Sequence, residues 1–255
     1  MNPTKVKNDI VEKYGGEKTI GYYYYSRNPV EYVGEKQVRK SFDSVKQYGE
    51  RVYIGDYSST DNIKEIAEEY GFTFLTIEKT KGVFFHEPKI ANKIINEMKE
   101  NFMCYLNFWI YYPENLEEHL KGWLNRFNGK DYYLRMTGYA SYQDGKLFKT
   151  NHKRASHSVC TLIYRPFLYE ARGYDERTDY NAGIRNYAHG ILTKVYKLKE
   201  DSHFFPFVHI FHSRPHIDKV PQDRRRKGFR IVDNMISDLS KNLYVNKKKI
   251  HNSYW

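Results

Sequence analysis

In the stretch 52–71, VYIGDYSSTDNIKEIAEEYG, two carboxylates and three aliphatic hydroxyls crowd into the elbow 56–61: Asp56, Ser58, Ser59, Thr60 and Asp61. An apolar strand enters this polar elbow and an amphipathic helix leaves it. Two chemistries suit such a corner. One is turn chemistry, in which Asp, Ser and Thr side chains accept from nearby backbone N–H groups and cap the next helix. The other is nucleotide binding. A carboxylate accepts the imide N–H of a uracil, and backbone amides at a helix start favour phosphate oxygens. A second cluster is HIFHSRPH (209–216), with His209, His212 and His216. Imidazoles suit a transition metal, and the alternative is aromatic core with surface histidines. Cys104 and Cys160 lie in apolar contexts and read as buried thiols of a cytosolic protein rather than a disulfide framework.

The elements that must position the elbow follow from periodicity. IGYYYY (20–25) is a β-prone run, broken by SRNP at Pro29. Val30, Val33, Val38, Phe42 and Val45 predict a helix over 30–48. Residues 52–55 form a second strand. The next helix, capped by Thr60 or Asp61, buries Ile63, Ile66, Ala67 and Tyr70 and is closed by Gly71. FTFLTI (72–77) is a third strand, and 90–98 a helix on Ile90, Ile94, Ile95 and Met98. FMCYLNFWIYY (102–112) reads as one long central strand buried on both faces. Alternating β and α elements predict a parallel sheet with helices on both sides, and such sheets bind ligands beyond their carboxyl edge.

The second half differs. Residues 130–150 alternate around Asp144-Gly145, a hairpin signal. Residues 158–166 form a strand, 173–190 a loop entering a short helix, and 231–243 a helix on Ile231, Met235, Leu239 and Leu243.

Composition narrows the class. Hydrophobic residues make up 40% and charged residues 29%, which predicts a globular, water-soluble chain. The 25 tyrosines offer faces and hydroxyls for sugar or base stacking, though many serve the core. No run of 18 apolar residues occurs, and the first 18 residues lack a signal-peptide core, so a cytoplasmic protein is expected. The net charge of +11 is lopsided: residues 1–127 hold 18 Lys/Arg against 19 Asp/Glu, and residues 128–255 hold 24 against 12. DRRRKGFR (223–230), with Arg224, Arg225 and Arg226, and NKKKIH (246–251) are the densest runs. A one-sided basic field attracts polyanions, nucleic acid first among them; the other reading is a solvated tail.

RVYIGDYSSTDNIKEIAEEYG resembles the strand–elbow–helix of family 2 glycosyltransferases, usually written IVDDGSTD followed by T-x-E-I. Ile54, Asp56, Ser59, Thr60 and Asp61 match, and Tyr57 replaces the second Asp. YYYSRNPVEYVGEKQVRKSFDSV is similar to that family's opening strand and helix. KIANKIINEM resembles its A-x-N segment through Ala91 and Asn92. GYDERTDYNAGIRNYAHG is similar to its G-F-D-E … E-D … R … G block through Gly173, Asp175, Glu176, Asp179, Arg185 and Gly190. The resemblance covers roughly residues 18–215, in order.

The resemblance implies an α/β GT-A fold with a mostly parallel central sheet flanked by helices and a smaller antiparallel acceptor-side region. It implies a nucleotide-sugar donor, most simply a UDP-sugar, bound in a half spanning about 18–127. An acceptor half spans about 128–218, and 219–255 form a basic C-terminal helical extension. Tyr25, Arg27, Asp56, Ser59, Asp61, Lys89, Asn92, Asn107 and Trp109 then fall on the donor side. Asp179 is the implied catalytic base of an inverting transfer, with Glu176, Arg185, Arg224, Arg225 and Arg226 toward acceptor or diphosphate. Thr178 stands where the family has an acceptor-binding Glu. The family's metal-chelating Asp-x-Asp aligns with Asn107-Phe108-Trp109, and hard Mn²⁺ or Mg²⁺ wants anionic oxygens. Three explanations remain: cationic neutralisation of the diphosphate by Lys89, Arg27 or Arg185 without a metal; a metal held at His209 or His212; or a fold kept for binding alone. The first is the working expectation. With no spanning segment and a basic second half, a hydroxymethylated DNA base, flipped from the duplex, is the favoured acceptor. A saccharide or lipid-linked glycan is the alternative.

Overall fold

A computed structural model of the chain describes residues 2–83, 85–127, 131–137, 140–143, 146–148, 160–178, 184–204, 208–210 and 222–255. In chain order its elements are α1 (Pro3–Tyr14), β1 (Ile20–Ser26), α2 (Pro29–Val33), α3 (Glu35–Asp43), a 3₁₀ segment (Lys46–Arg51), β2 (Val52–Asp56), α4 (Ile63–Glu69), β3 (Thr73–Thr76), α5 (Glu87–Glu97), β4 (Phe102–Tyr105), β5 (Ile110–Tyr111), α6 (Leu116–Phe127), β6 (Tyr132–Thr137), β7 (Ala140–Gln143), β8 (Lys146–Phe148), β9 (Cys160–Tyr164), α7 (Arg165–Glu170), α8 (Ile184–Gly190), a π-helical turn (Ile191–Val195), β10 (Lys199–Phe204), β11 (Val208–Ile210), α9 (Gln222–Lys241), α10 (Leu243–Asn246) and a second 3₁₀ turn (Lys247–Lys249).

Seven strands form the main sheet in the order β10-β6-β9-β4-β1-β2-β3. Strands β4, β1, β2 and β3 run parallel, as the alternating pattern predicts. Strand β9 runs antiparallel to both neighbours, β4 and β6, and β10 pairs parallel with β6. A smaller mixed sheet has the order β5-β11-β7-β8. The architecture is thus mixed α/β, with a mostly parallel sheet between helices.

Helices cover both faces of β1 and β2, which explains their unbroken apolar runs. On one face Tyr22 stacks on Tyr48 at 4.1 Å, and Tyr24 meets Phe42 and Phe108. On the other face α5 comes so close that a Cβ on Gly55 would lie 2.5 Å from Ile90. Cys104 and Cys160 are buried free thiols on neighbouring strands. Val232, Ile236, Leu239 and Leu243 join the same core, so α9 and α10 are packed onto the main body. Ile236 rests on Gly190, where a Cβ would lie only 2.2 Å away.

Three predicted elements differ. The single helix over 30–48 is α2 and α3, broken at Gly34, whose φ of +92° no helix accommodates. The long strand over 102–112 ends at Tyr105; the chain turns at Asn107–Trp109, and β5 joins the other sheet. Burial of Phe108 against Tyr24 and Phe42 accounts for an apolar run that is not one strand. The last helix starts at Gln222 and not near 231. Asp144-Gly145 lies outside the described residues, but β7 and β8 on either side pair antiparallel. Helix α1 carries a signal the periodicity missed: Asn2 accepts from Thr4 and Lys5 N–H, and Pro3 follows.

Candidate functional site

The four parallel strands end side by side at Ser26, Asp56, Thr76 and Tyr105, so the loops after them share one edge. Asp56, 3% exposed, turns both oxygens onto Ser59, one to its N–H at 2.9 Å and one to its hydroxyl. The Ser59 hydroxyl also accepts from Asn28 N–H at 2.7 Å. Asn28 stands in the left-handed region (φ +48°), and its Oδ1 accepts from Thr60 N–H at 2.8 Å. Asp61 closes the circuit by accepting from Val30 N–H at 2.8 Å and Glu31 N–H at 3.3 Å, the orphan donors of α2. Burial raises the Asp61 carboxyl above the ordinary range, against the pull of its backbone donors. The elbow after β2 and the loop after β1 are therefore one hydrogen-bonded unit. This is turn chemistry, yet each Asp56 oxygen makes a single described bond and has capacity for more.

Tyr57, in place of the second Asp, is a fully buried pillar. Its hydroxyl accepts from Thr80 N–H at 2.6 Å, and the Arg27 guanidinium lies 5.8 Å from its ring centre. Ser58 takes a positive φ of 50° and donates to the Ile77 carbonyl, tying the elbow to the loop after β3. Lys89 sits in the first turn of α5, half-buried, with its ammonium 3.3 Å from the Glu78 carbonyl on the same edge.

Asn92 does something the sequence pattern does not reveal. Its Oδ1 accepts from Tyr174 N–H at 2.7 Å, and its Nδ2 donates to the Tyr174 carbonyl at 2.9 Å and to Glu176 at 3.0 Å. Its side-chain amide is bonded within the protein, so Asn92 holds the loop 173–178 against α5. Glu176 likewise points inward, bonded to Asn92 and to Ser253. Asp175 is buried and paired with Arg177 at 2.5 Å.

At the end of β4, Asn107 is buried, its Oδ1 accepting from the Tyr105 hydroxyl at 2.7 Å and its N–H donating to the Tyr112 hydroxyl at 2.8 Å. Phe108 faces the core and Trp109 is half-buried. Tyr25 and Tyr105, ring centres 5.2 Å apart, flank the same spot. An amide oxygen already accepting a hydroxyl and a neighbouring indole do not make a site for a hard divalent cation. Among the described residues no group of three or more His, Cys, Asp or Glu could hold one.

Asp179 and His212 lie outside the described residues. Arg185 belongs to α8, His209 to β11, and Arg224 and Arg225 to α9, but their side chains lie outside what is described. Arg226, with Lys227 and Arg230, is exposed on α9. The structure thus joins Asp56, Ser59 and Asp61 in one unit with Asn28, sets Arg27 beside the Tyr57 ring and Tyr25 against Tyr105, which bonds Asn107, and engages Asn92 and Glu176 in internal bonds. Asn28 is the elbow residue that sequence reasoning missed; an Asn before Pro29 was its signal.

No protein-family model and no curated protein sequence matches this chain. Solved structures do. Staphylococcus aureus TarS 1–349 in complex with UDP-GlcNAc superposes with a TM-score of 0.62 at 13% identity, over 91% of this chain and 70% of that one. GalNAc-T7 with UDP, GalNAc and Mn²⁺ gives 0.59 at 14%, over 93% and 56%. Mycobacterium tuberculosis glucosyl-3-phosphoglycerate synthase, with Mn²⁺, UDP-glucose and phosphoglyceric acid, gives 0.57 at 11%, over 95% and 84%. The fold is that of the GT-A glycosyltransferases.

Proposed function

We propose that this chain transfers a sugar from a UDP-sugar to an acceptor hydroxyl with inversion at the anomeric carbon. The observation that carries the reading is the elbow: on a GT-A sheet, Asp56 stands at the carboxyl end of β2, and Asn28, Ser59 and Asp61 lock the preceding loop to it. Asp56 accepts the uracil imide N–H with its spare lone pairs. Arg27, Lys89 and Arg185 meet the diphosphate charge, and Tyr25 and Trp109 flank it. The residues at 107–109 do not suit a divalent ion, so cationic side chains take over that task in this reading.

In the reaction the acceptor oxygen bonds to the anomeric carbon as the bond from that carbon to the diphosphate breaks. The electron pair leaves on UDP, and the acceptor proton passes to Asp179. A saccharide acceptor fits the fold neighbours, one of which was solved with GalNAc beside UDP. A hydroxymethylated DNA base rests on one observation, the basic second half with exposed Arg226, Lys227 and Arg230 on α9.

Calorimetry with UDP and UDP-sugars, in Mn²⁺ and in chelator, tests the donor. Asp56→Asn should weaken UDP binding about tenfold, as loss of one charge-assisted bond does, and unaltered affinity would remove Asp56 from the base pocket. Asp179→Asn should abolish turnover with UDP affinity intact. A salt-dependent gel shift with duplex DNA decides between the acceptors; binding indifferent to salt counts against phosphate contacts.

A further inference from the structure

The loop 172–178, which leads into Asp179, is held from two sides. Asn92 holds it from α5, as described. On its other side lie residues 250–255. Glu176 N–H donates to the His251 carbonyl at 2.8 Å, and Asn252 Nδ2 donates to the Arg172 carbonyl at 2.8 Å. Ser253 N–H donates to Glu176 Oε1 at 3.1 Å, and the Ser253 hydroxyl bonds Glu176 Oε2. Arg172 Nη2 returns a bond to the Trp255 carbonyl at 2.7 Å. Rings secure the same segment: Trp255 packs on Tyr169 at 5.1 Å, and the Lys93 ammonium of α5 lies 5.5 Å from the Tyr254 ring centre.

The fit leaves little slack. Gly173 has a φ of +67°, and a Cβ there would lie 2.3 Å from Asn92 Oδ1 and 3.0 Å from Asn252 Nδ2. Beyond Glu176, Thr178 donates twice to the Asp175 carbonyl, from N–H at 3.1 Å and hydroxyl at 2.7 Å. The loop is therefore pinned along its length from Arg172 to Thr178. Both oxygens of Glu176 are engaged by partners far away in sequence, and bonds to a carboxylate are the stronger kind.

We propose that residues 250–255 form a strap that sets the position of the loop 172–178, the segment that precedes Asp179 in sequence, with Glu176 as its latch and Asn252 and Ser253 as positioning residues. The strap itself follows from these bonds. Its consequence for turnover rests on the reading of Asp179 as the base.

The test uses the full chain as wild type, Ser253→Ala and Ser253→Thr, followed by hydrogen exchange, UDP affinity and UDP-sugar hydrolysis. Ser253→Ala should speed exchange at Tyr174, Glu176 and Thr178 N–H about tenfold and leave β1 and β2 unchanged, the scale expected from losing a bond to a charged group. Its kcat should fall about tenfold with UDP affinity intact. Ser253→Thr, which keeps the hydroxyl, should restore both. Unaltered exchange in the loop, or a rise spread evenly over the chain, overturns the strap. Faster loop exchange with wild-type kcat overturns its role in turnover. A wild type that neither binds UDP nor hydrolyses a UDP-sugar refutes the proposed function and leaves the exchange result to judge the strap alone.

Discussion

Replacing Glu170 by Gln should cost stability at neutral pH and cost progressively less in acid. The Glu170 carboxylate, 11% exposed, binds three donors: Lys13 at 2.7 Å, the Tyr14 hydroxyl at 2.7 Å and Lys247 at 3.0 Å. Burial alone would raise its pKa, but these bonds outweigh burial and bring it from 4.5 to about 2. That difference has a ceiling of ~3 kcal/mol at 1.36 kcal/mol per unit. Lys13 is 62% exposed and solvent screens its share, so ~1–2 kcal/mol is the expected loss at pH 7. A depressed carboxylate contributes fully above the unfolded value and loses its contribution as pH falls toward the folded one. The gap between wild type and Glu170→Gln in urea unfolding should therefore be constant above about pH 5, narrow through pH 4 and 3, and nearly close at pH 2. Asp61, raised by burial, titrates in the opposite sense but is common to both proteins and cancels. A gap that ignores pH, or widens in acid, would refute the argument and leave Glu170 a packing residue only.

Other perturbations follow the same logic. Asp61→Ala removes the acceptor for two α2 amides and should cost ~1–2 kcal/mol in urea unfolding, with weaker UDP binding as the loop after β1 comes loose. Gly190→Ala forces a methyl against Ile236 and should cost ~1–3 kcal/mol; pairing it with Ile236→Ala should cost less than the sum of the two, and strict additivity would show that the two sites do not touch. Chelator should leave UDP affinity unchanged, because Asn107 and Trp109 offer a cation no carboxylate; a drop on chelation, reversed by Mn²⁺, would place metal ligands elsewhere in the chain.

Much of the architecture is legible in the sequence, for a local reason. Strands β1, β2 and β3 are short apolar runs with helical periodicity between them, and both periods are written in neighbouring residues. The misread elements escape apolar spacing for separate reasons. Gly34 breaks a helix whose apolar spacing continues across it. FMCYLNFWIYY is apolar throughout because Phe108 is buried against Tyr24 and Phe42, not because it is one strand. At the site, Asp56 and Asp61 are conspicuous as paired acids in a turn. Asn28-Pro29 marks a turn, but nothing beside Asp56 in sequence tells that this turn completes its circuit, or that Ser253 would reach Glu176. Asn92 matched a motif, but its partners at 174 and 176 lie on the far side of the second half, where spacing carries no information.

Strand β9 has a consequence for biogenesis. It covers the outer edge of β4, yet its residues 160–164 are translated only after the parallel strands β1 to β4. Until then the nascent N-terminal half carries an uncovered β4 backbone, open to pairing with a neighbouring chain. A fragment ending at residue 127 would keep that bare edge permanently and should self-associate, which the antiparallel strand prevents at β4 by covering it.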